Sequence, residues 1–496
     1  MKRYFQKGIT AVMTMALLTS LVACGGKDNT TDTSSTDTTN TTNKTGNTAS
    51  TDTTTTDNTT EEAEVTAEPE AEDSAYTVLT DENGNTYDLG GMEIIIADWW
   101  TAETQPEPTT AKEEATQEYR DWIQETYNFK IRALGIDGWG EHPETFINFA
   151  TTGGDENYVF QMYASSLAAP MASGLFYDLA TLDCFDFTED KWDSATTSLM
   201  TKGGSIYGMR ADKPEPRGGV FFNKRVLEEA GVDPESLYDM QADGTWTWDA
   251  FEELCAKLTK DTDNDGVVDT YAMTSFSTDF FHSVIASNNA TYVDVDADGK
   301  YYNAMRSDEF LEAANWGQDM LTKYEMPQPA DSAWDYAYTS FRNAEAAMIV
   351  CEEYKVDSFK EMEDDFGFVC FPKGPNAETY SNVYSDNVAV IPACYDAERA
   401  WKIAFAYNLY TNATPGYEDE DDWKTTYYPQ FRDERAVDET IDILKNNGVT
   451  WVLPLISGLS YGDFDWKAYP HDQTATEIID TIWDQWQAYI DEANAK

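Results

Sequence analysis

Several groups of residues have types and spacings that could do chemistry. Asp261, Asp263, Asp265 and Asp269 stand at positions 1, 3, 5 and 9 of a calcium-loop pattern. Gly266 takes the turn position, and Val267 stands where a backbone carbonyl would ligate. Position 12 is Ala272, so the usual bidentate Glu is missing. Four spaced carboxylates repel one another without a cation, so a structural Ca²⁺ is expected here. An Asx-rich turn between helix and strand is the alternative. The similar run Asp294-Val-Asp296-Ala-Asp298-Gly299 reads instead as an Asp-Gly hairpin turn.

Gly458-Leu-Ser460-Tyr-Gly462 matches the pattern of a serine nucleophile elbow. That chemistry needs a strand-to-helix elbow and a later His; only His471 follows, so we read a chance match. Carboxylate pairs for glycoside hydrolysis are unavoidable among 91 acidic residues and carry no information by themselves. Three His in 496 residues argue against a His-based metal or acid–base site. Arg210 and Arg217 stand out because only 33 basic residues face those 91 acids. Each could pair a carboxylate, or hydrogen-bond the hydroxyls or carboxylate of a ligand. Finally, Trp99 and Trp100 follow an apolar run, and Trp139 lies in a Gly-flanked loop. Indoles displayed at the surface offer flat apolar faces to a ligand such as a sugar ring.

The elements that must position these residues alternate between strand and helix patterns. Residues 76–89 suggest a hairpin turning at Asn83-Gly84, and 93–97 (Glu-Ile-Ile-Ile-Ala) a buried strand. A helix over 111–127, a strand over 129–134, a helix over 143–152 and a strand over 158–163 complete a βαβαβ run. Ligands of open α/β sheets collect beyond the carboxyl ends of the strands, which puts Trp99, Trp100, Trp139 and the loop after Tyr163, with Ser165, at such a crevice. Downstream, Gly218-Gly-Val-Phe-Phe222 runs into Asn223-Lys224 and a helix that Gly231 closes. A second helix opens at Trp246-Thr-Trp-Asp249 with Thr247 as its cap, and Phe251, Leu254, Cys255 and Leu258 share one face. Further helices are expected over 303–323, capped near Ser307, and over 397–410. A terminal helix carries Trp483 and Trp486 as core contacts.

Composition sets the limits. A formal charge of −58 excludes a nucleic-acid partner, because phosphate binding needs clustered Lys and Arg. Residues 1–24 read as a targeting segment: Lys2, Arg3 and Lys7, an apolar run too short to span a membrane, then Leu21-Val-Ala-Cys24. This ending resembles a lipoprotein cleavage site, with Cys24 as the lipidated residue. Residues 25–75 are rich in Thr, Asp, Asn, Ser and Glu and poor in large apolar groups, so they read as a disordered tether of roughly 40 Å reach. Cys184, Cys255, Cys351, Cys370 and Cys394 remain, an odd number without a CxxC pair; free, buried thiols are expected.

Tyr207-Gly-Met209, the strand into Phe222-Asn-Lys224, Ala230-Gly-Val232 with Pro234, the Trp-Thr-Trp-Asp helix start and the Asp/Gly loop occur in that order. Together they resemble the extracellular solute-binding proteins of carbohydrate ABC transporters, with looser matches from about Met92 to the C-terminus. The resemblance implies an α/β fold of two lobes, periplasmic-binding-protein-like (type II), with mostly parallel sheets, helices on both faces and a hinge. It implies lobe 1 over 76–204, lobe 2 over 205–340, a return to lobe 1 over 341–375, and a return to lobe 2 with C-terminal helices over 376–496. A sugar or oligosaccharide would bind between closing lobes and pass to the permease subunits of an importer. The expected ligand-binding set is Trp99, Trp100, Trp139, Ser165, Arg210, Asn223, Trp334, Asp386 and Trp451. A lipid-anchored monomer on the outer face of a Gram-positive membrane follows, with no catalytic residues. A secreted glycoside hydrolase and a surface glycan adhesin without a transporter are the alternatives.

Overall fold

Eight strands sort into two four-stranded sheets, one at the centre of each of two lobes. A computed structural model describes residues 76–495 other than 213, 262–263, 385–386 and 419–422. Cys24 and the residues read as a tether lie outside the described residues, as do Asp263 and Asp386.

The first sheet is ordered Val388–Val390, Asn157–Met162, Met92–Asp98, Phe129–Gly135. Met92–Asp98 lies parallel to both neighbours, with Ile94 opposite Ile131 and Ile96 opposite Val159. Its apolar run is continuous because helices cover both faces. Helix Ala111–Thr126 starts from a capping box in which Thr110 accepts from the Glu113 amide and the Glu113 carboxylate accepts at Thr110. Tyr119 and Ile123 turn one helix face into the core. Helix His142–Thr152 contributes Phe146 and Ala150 to the core on the other side.

The second sheet is ordered Phe366–Cys370, Gly218–Asn223, Ala346–Glu352, Tyr271–Ser275. All six residues of Gly218–Asn223 are buried, and Phe221 and Phe222 each contribute roughly 1.5–3 kcal/mol by leaving water. The register places Gly367 opposite Phe222, and a Cβ there would meet the Phe222 ring at 2.2 Å. Only Gly fits under that ring. Helix Trp248–Leu258, capped by Thr247, buries Phe251, Leu254, Cys255 and Leu258 as its periodicity predicts. Helices Asp308–Tyr324, Ala397–Tyr410 and Ala475–Ala495 also form, the first capped by Ser307. Trp486 is a core residue, while Trp483 is half-buried under the Arg306 guanidinium at 3.9 Å.

Several expectations need correction. Residues 341–375 do not return to the first lobe: Ala346–Glu352 and Phe366–Cys370 flank Gly218–Asn223 in the second sheet. The return comes later, where Val388–Val390 pairs with Asn157–Met162 and helix Ala397–Tyr410 packs onto the first core. From about Trp423 onward the chain packs on the second lobe again. Burial pattern reports that a strand is central, not which of two sheets it joins. The first lobe also runs past 204, since Met209 pairs with Ala389. Both sheets are mixed: Gly218–Asn223 is antiparallel to its two neighbours and Val388–Val390 to its one. Residues 76–89 form a turn at Gly84 with one bridge, Thr80–Thr86, rather than a full hairpin. Strands Val293–Val295 and Tyr301–Asn303 do form the Asp-Gly hairpin. All five described Cys are free, with Cys255, Cys351 and Cys370 buried, Cys184 half-buried and Cys394 exposed.

Candidate functional site

A cleft of about 1890 Å³ lies between the lobes, with residues of both along its walls. The first-lobe wall is aromatic. Met92–Asp98 ends in Asp98, which is buried; its carboxylate accepts from the amides of Trp100 (3.0 Å) and Thr101 (2.8 Å) and from the Thr101 hydroxyl. This turn separates the two indoles, so they do not continue the alternation of the strand. Gly135 holds the turn from the neighbouring strand: its amide donates to Thr101 O at 2.8 Å, and a Cβ there would strike that oxygen. Trp99 is half-buried, edge-on to Trp100 (4.7 Å), Tyr163 (5.4 Å) and His142 (5.2 Å). Trp139 stacks on Tyr163 at 5.0 Å and 21°. Trp100 and Trp139 remain 54% and 60% exposed, so both present open ring surface.

Helix Ala111–Thr126 adds Lys112, Thr116 and Arg120, four residues apart and therefore on one face. Arg120 lies over the Tyr410 ring at 3.9 Å, and its Nε is buried with no hydrogen-bond partner. Arg210 donates to the Asn387 carbonyl at 3.0 Å on the first-lobe floor, beside Tyr407.

The second-lobe wall is anionic. The end of strand Ala346–Glu352 and the turn after it present Glu352, Glu353 and Tyr354, and helix Ser277–Ser287 presents Asp279. Arg217 faces them, 3.7 Å from Glu352 and 3.8 Å from Glu215, with its guanidinium over Tyr354 at 4.8 Å. Glu353 is 3% exposed and its Oε2 has no partner. Burial pushes its carboxyl up to about 8, with Arg217 opposing and Glu215 and Glu352 adding to the rise. Burial, then Glu352, likewise raises Asp279 well above the ordinary carboxylate range, against Lys355 and Arg217. Also on this wall, His282 lies 3.6 Å from the buried Asp465, and burial pushes the imidazole down to about 3.

The structure brings Trp99, Trp100, Trp139, Ser165 and Arg210 together at the cleft. Asn223 lies elsewhere: fully buried, it caps the following helix through Val226 N and donates to Asp364. Trp334 is 76% exposed outside the cleft lining, and Trp451 packs one layer back against His282 and Tyr461. Arg210 belongs to the first lobe, whereas both arginines were expected on the second. Sequence reasoning missed Tyr163, Arg120, Asp279 and Glu353. Tyr163 alone carried a signal, as the residue just past a strand end.

In the Asp261–Asp269 loop, Asp265 accepts from Val267 N as in an Asx turn, and Asp261 accepts from Gly266 N across the loop, both at 2.8 Å. Asp261 also has a buried oxygen, Oδ1, without a partner. Among the described residues, no group of three or more His, Cys, Asp or Glu could hold a metal ion. Ser460 is not on an elbow: a 3₁₀ turn, Leu453–Leu455, precedes it and its hydroxyl accepts from Gly462 N at 3.2 Å. Among the described residues, no helix is long and apolar enough to cross a membrane.

A family model described as bacterial extracellular solute-binding protein matches residues 101–404. A comparison with curated proteins gives no match. Among solved structures, UgpB from Mycobacterium tuberculosis in complex with glycerophosphocholine is similar at a TM-score of 0.58 and 15% identity, covering 82% of this chain and 100% of that one. The cyclic alpha-maltosyl-1,6-maltose binding protein from Arthrobacter globiformis gives 0.56 at 14% identity, covering 81% and 99%. The ABC substrate-binding protein Lmo0181 from Listeria monocytogenes, in complex with cycloalternan, gives 0.54 at 15% identity, covering 81% and 98%.

Proposed function

Because the chain belongs to the family of bacterial extracellular solute-binding proteins, we propose that it binds a carbohydrate between its lobes and delivers it to the permease subunits of an ABC importer. The observation that carries this reading is the aromatic rim of Trp99, Trp100, Trp139 and Tyr163 at the cleft. Exposed indoles cost free energy unless something covers them, and a sugar ring offers a flat C–H face to one while its hydroxyls reach polar neighbours. The cleft exceeds the roughly 300–1,000 Å³ of ordinary small-molecule pockets, which supports an oligosaccharide. Two of the similar structures are a maltosyl-maltose binding protein and a complex with cycloalternan, which supports the same ligand class.

The reading extends to residues 1–75: lipid on Cys24 holds a monomer at the outer face of the membrane, and the acidic tether spaces the lobes from it. A Ca²⁺ on the Asp261–Asp269 loop would take up the unpartnered Asp261 oxygen and brace the turn. A thermal-shift screen of mono- and oligosaccharides, followed by calorimetry, tests the central reading. Saturable binding of a sugar with compaction in small-angle scattering is expected. A screen without any binding sugar would contradict it.

A further inference from the structure

Two buried polar atoms of the second lobe face each other without other partners. Asp465, on helix Gly462–Ala468, is fully buried; its Oδ1 accepts from the Tyr292 hydroxyl, and its Oδ2 has no hydrogen-bond partner. His282, on helix Ser277–Ser287, puts a buried Nε2 3.6 Å from that oxygen, and this nitrogen has no partner either. Neither atom has surface that water could touch, so each carries a desolvation cost unless the two serve each other. A side-chain shift of about 0.7 Å makes the hydrogen bond. The imidazole is held by rings as well, with Tyr461 edge-on at 4.4 Å and Trp451 at 5.1 Å. Yet His282 lines the cleft with 21% of its side chain exposed. Of its two ring nitrogens Nε2 is the sealed one, so Nδ1 is the one a ligand can reach.

Counting protons decides what Nδ1 offers. Burial favours a pair without net charge, and Asp465 and His282 can meet that condition in two ways. Either a protonated carboxyl donates to a neutral Nε2, or a carboxylate accepts from an imidazolium. In both, one proton lies between Oδ2 and Nε2 and the other sits on Nδ1. One proton fewer would leave a buried negative charge and a bare Nδ1. Burial raises Asp465 and lowers His282, which favours the first form. Tyr292 and Tyr461 are the titratable groups packed on the imidazole, and Asp279 lies one turn earlier on its helix.

We propose that Asp465 is a positioning residue that fixes His282 as a hydrogen-bond donor into the cleft, where Nδ1 reads an acceptor oxygen of the bound carbohydrate. The inference rests on the carbohydrate reading of the cleft and adds to it a polar contact on the second lobe. The hydrogen bond at one ring nitrogen sets what the other presents.

The test is ¹⁵N NMR of the histidine-labelled protein, simple to assign because the chain has three His and His282→Phe removes one signal. Without sugar, Nδ1 of His282 should carry hydrogen, the reverse of the tautomer that a free neutral side chain prefers. Asp465→Leu should return the ring to Nε2–H; Asp465→Asn, whose amide can still donate to Nε2, should restore Nδ1–H. The wild-type spectrum decides even if Asp465→Leu does not fold. The mono- and oligosaccharides of the thermal-shift screen, maltotriose and cellotriose among them, are then titrated in. A sugar that binds should shift the Nδ1 resonance, and His282→Phe should weaken it about fivefold, the size of one hydrogen bond. Three results overturn the proposal while the carbohydrate reading stands: a bare Nδ1 in the sugar-free protein, an Nδ1–H that survives Asp465→Leu, or a bound sugar that leaves either the resonance or the His282→Phe affinity unchanged. If no sugar binds, both fall.

Discussion

The two walls of the cleft use opposite materials. On the first lobe, rings do the presenting: Asp98 and Gly135, at the ends of adjacent strands, fix the turn that carries Trp99 and Trp100, and Trp139 stacks on Tyr163 beside them. On the second, carboxylates surround Arg217, and one of them is almost fully buried. The work of recognition divides between them. Flat apolar surface contributes affinity for many sugars alike, whereas a desolvated charged wall rejects whatever cannot complete it.

The largest effect separates the rim from the core. Trp486 is buried and donates its indole N–H to Asp463 at 3.0 Å; Trp486→Ala should lose about 3–5 kcal/mol of stability, read by denaturant melting. Trp139→Ala should leave the melting point nearly unmoved yet weaken sugar binding about 30-fold, the cost of removing a hot-spot aromatic. Equal stability losses in the two variants would erase the distinction between rim and core.

A smaller effect isolates the charged wall. Arg217→Gln removes the guanidinium that faces Glu352, Glu353 and Glu215. It should lower the melting temperature by several degrees at pH 8.5 and by less at pH 5, where Glu353 is protonated without its help. A loss independent of pH would mean that Arg217 acts only by packing.

Smaller still is the pH slope of the wild type. Burial raises Glu353 and, in the second lobe away from the cleft, Glu325 to about 8 each, the latter against hydrogen bonds from Tyr469 and Ser275. The folded state therefore holds more protons than the unfolded one between an ordinary carboxyl value and about 8. Their contribution to stability is complete at acid pH and is lost as pH rises through 8. Glu353→Gln should flatten part of this slope in melts taken from pH 5 to 9; an unchanged slope would place Glu353 in contact with water. The smallest shift concerns the loop: a chelator should lower the melting temperature by a few degrees if Ca²⁺ binds the folded state, and Asp261→Asn should remove that response. A melt indifferent to chelator would leave the loop as an Asx turn.

Much of the aromatic wall was legible because its cause is local. A continuous apolar run ending in Asp-Trp-Trp announces a buried strand with rings at its carboxyl end, and the crevice rule does the rest. The anionic wall was not legible. Glu352 ends, and Glu353 follows, a strand that pattern alone assigns to neither sheet, and Asp279 sits on a helix more than 70 residues upstream, among 91 acids of similar appearance. Only the register of Ala346–Glu352 between Gly218–Asn223 and Tyr271–Ser275 brings them together. Asn223 shows the converse: a residue in a recognisable motif whose carbonyl and amide groups are spent on a helix cap and on Asp364.

If the first-lobe rings hold a carbohydrate in the cleft, Trp fluorescence reports its arrival. The tightest sugar from the screen is titrated into the wild type and into Trp99→Ala, Trp100→Ala and Trp139→Ala. A saturable change is expected in the wild type, with affinity weakened in each variant and most in the two exposed positions. Unchanged affinity in all three variants would contradict it.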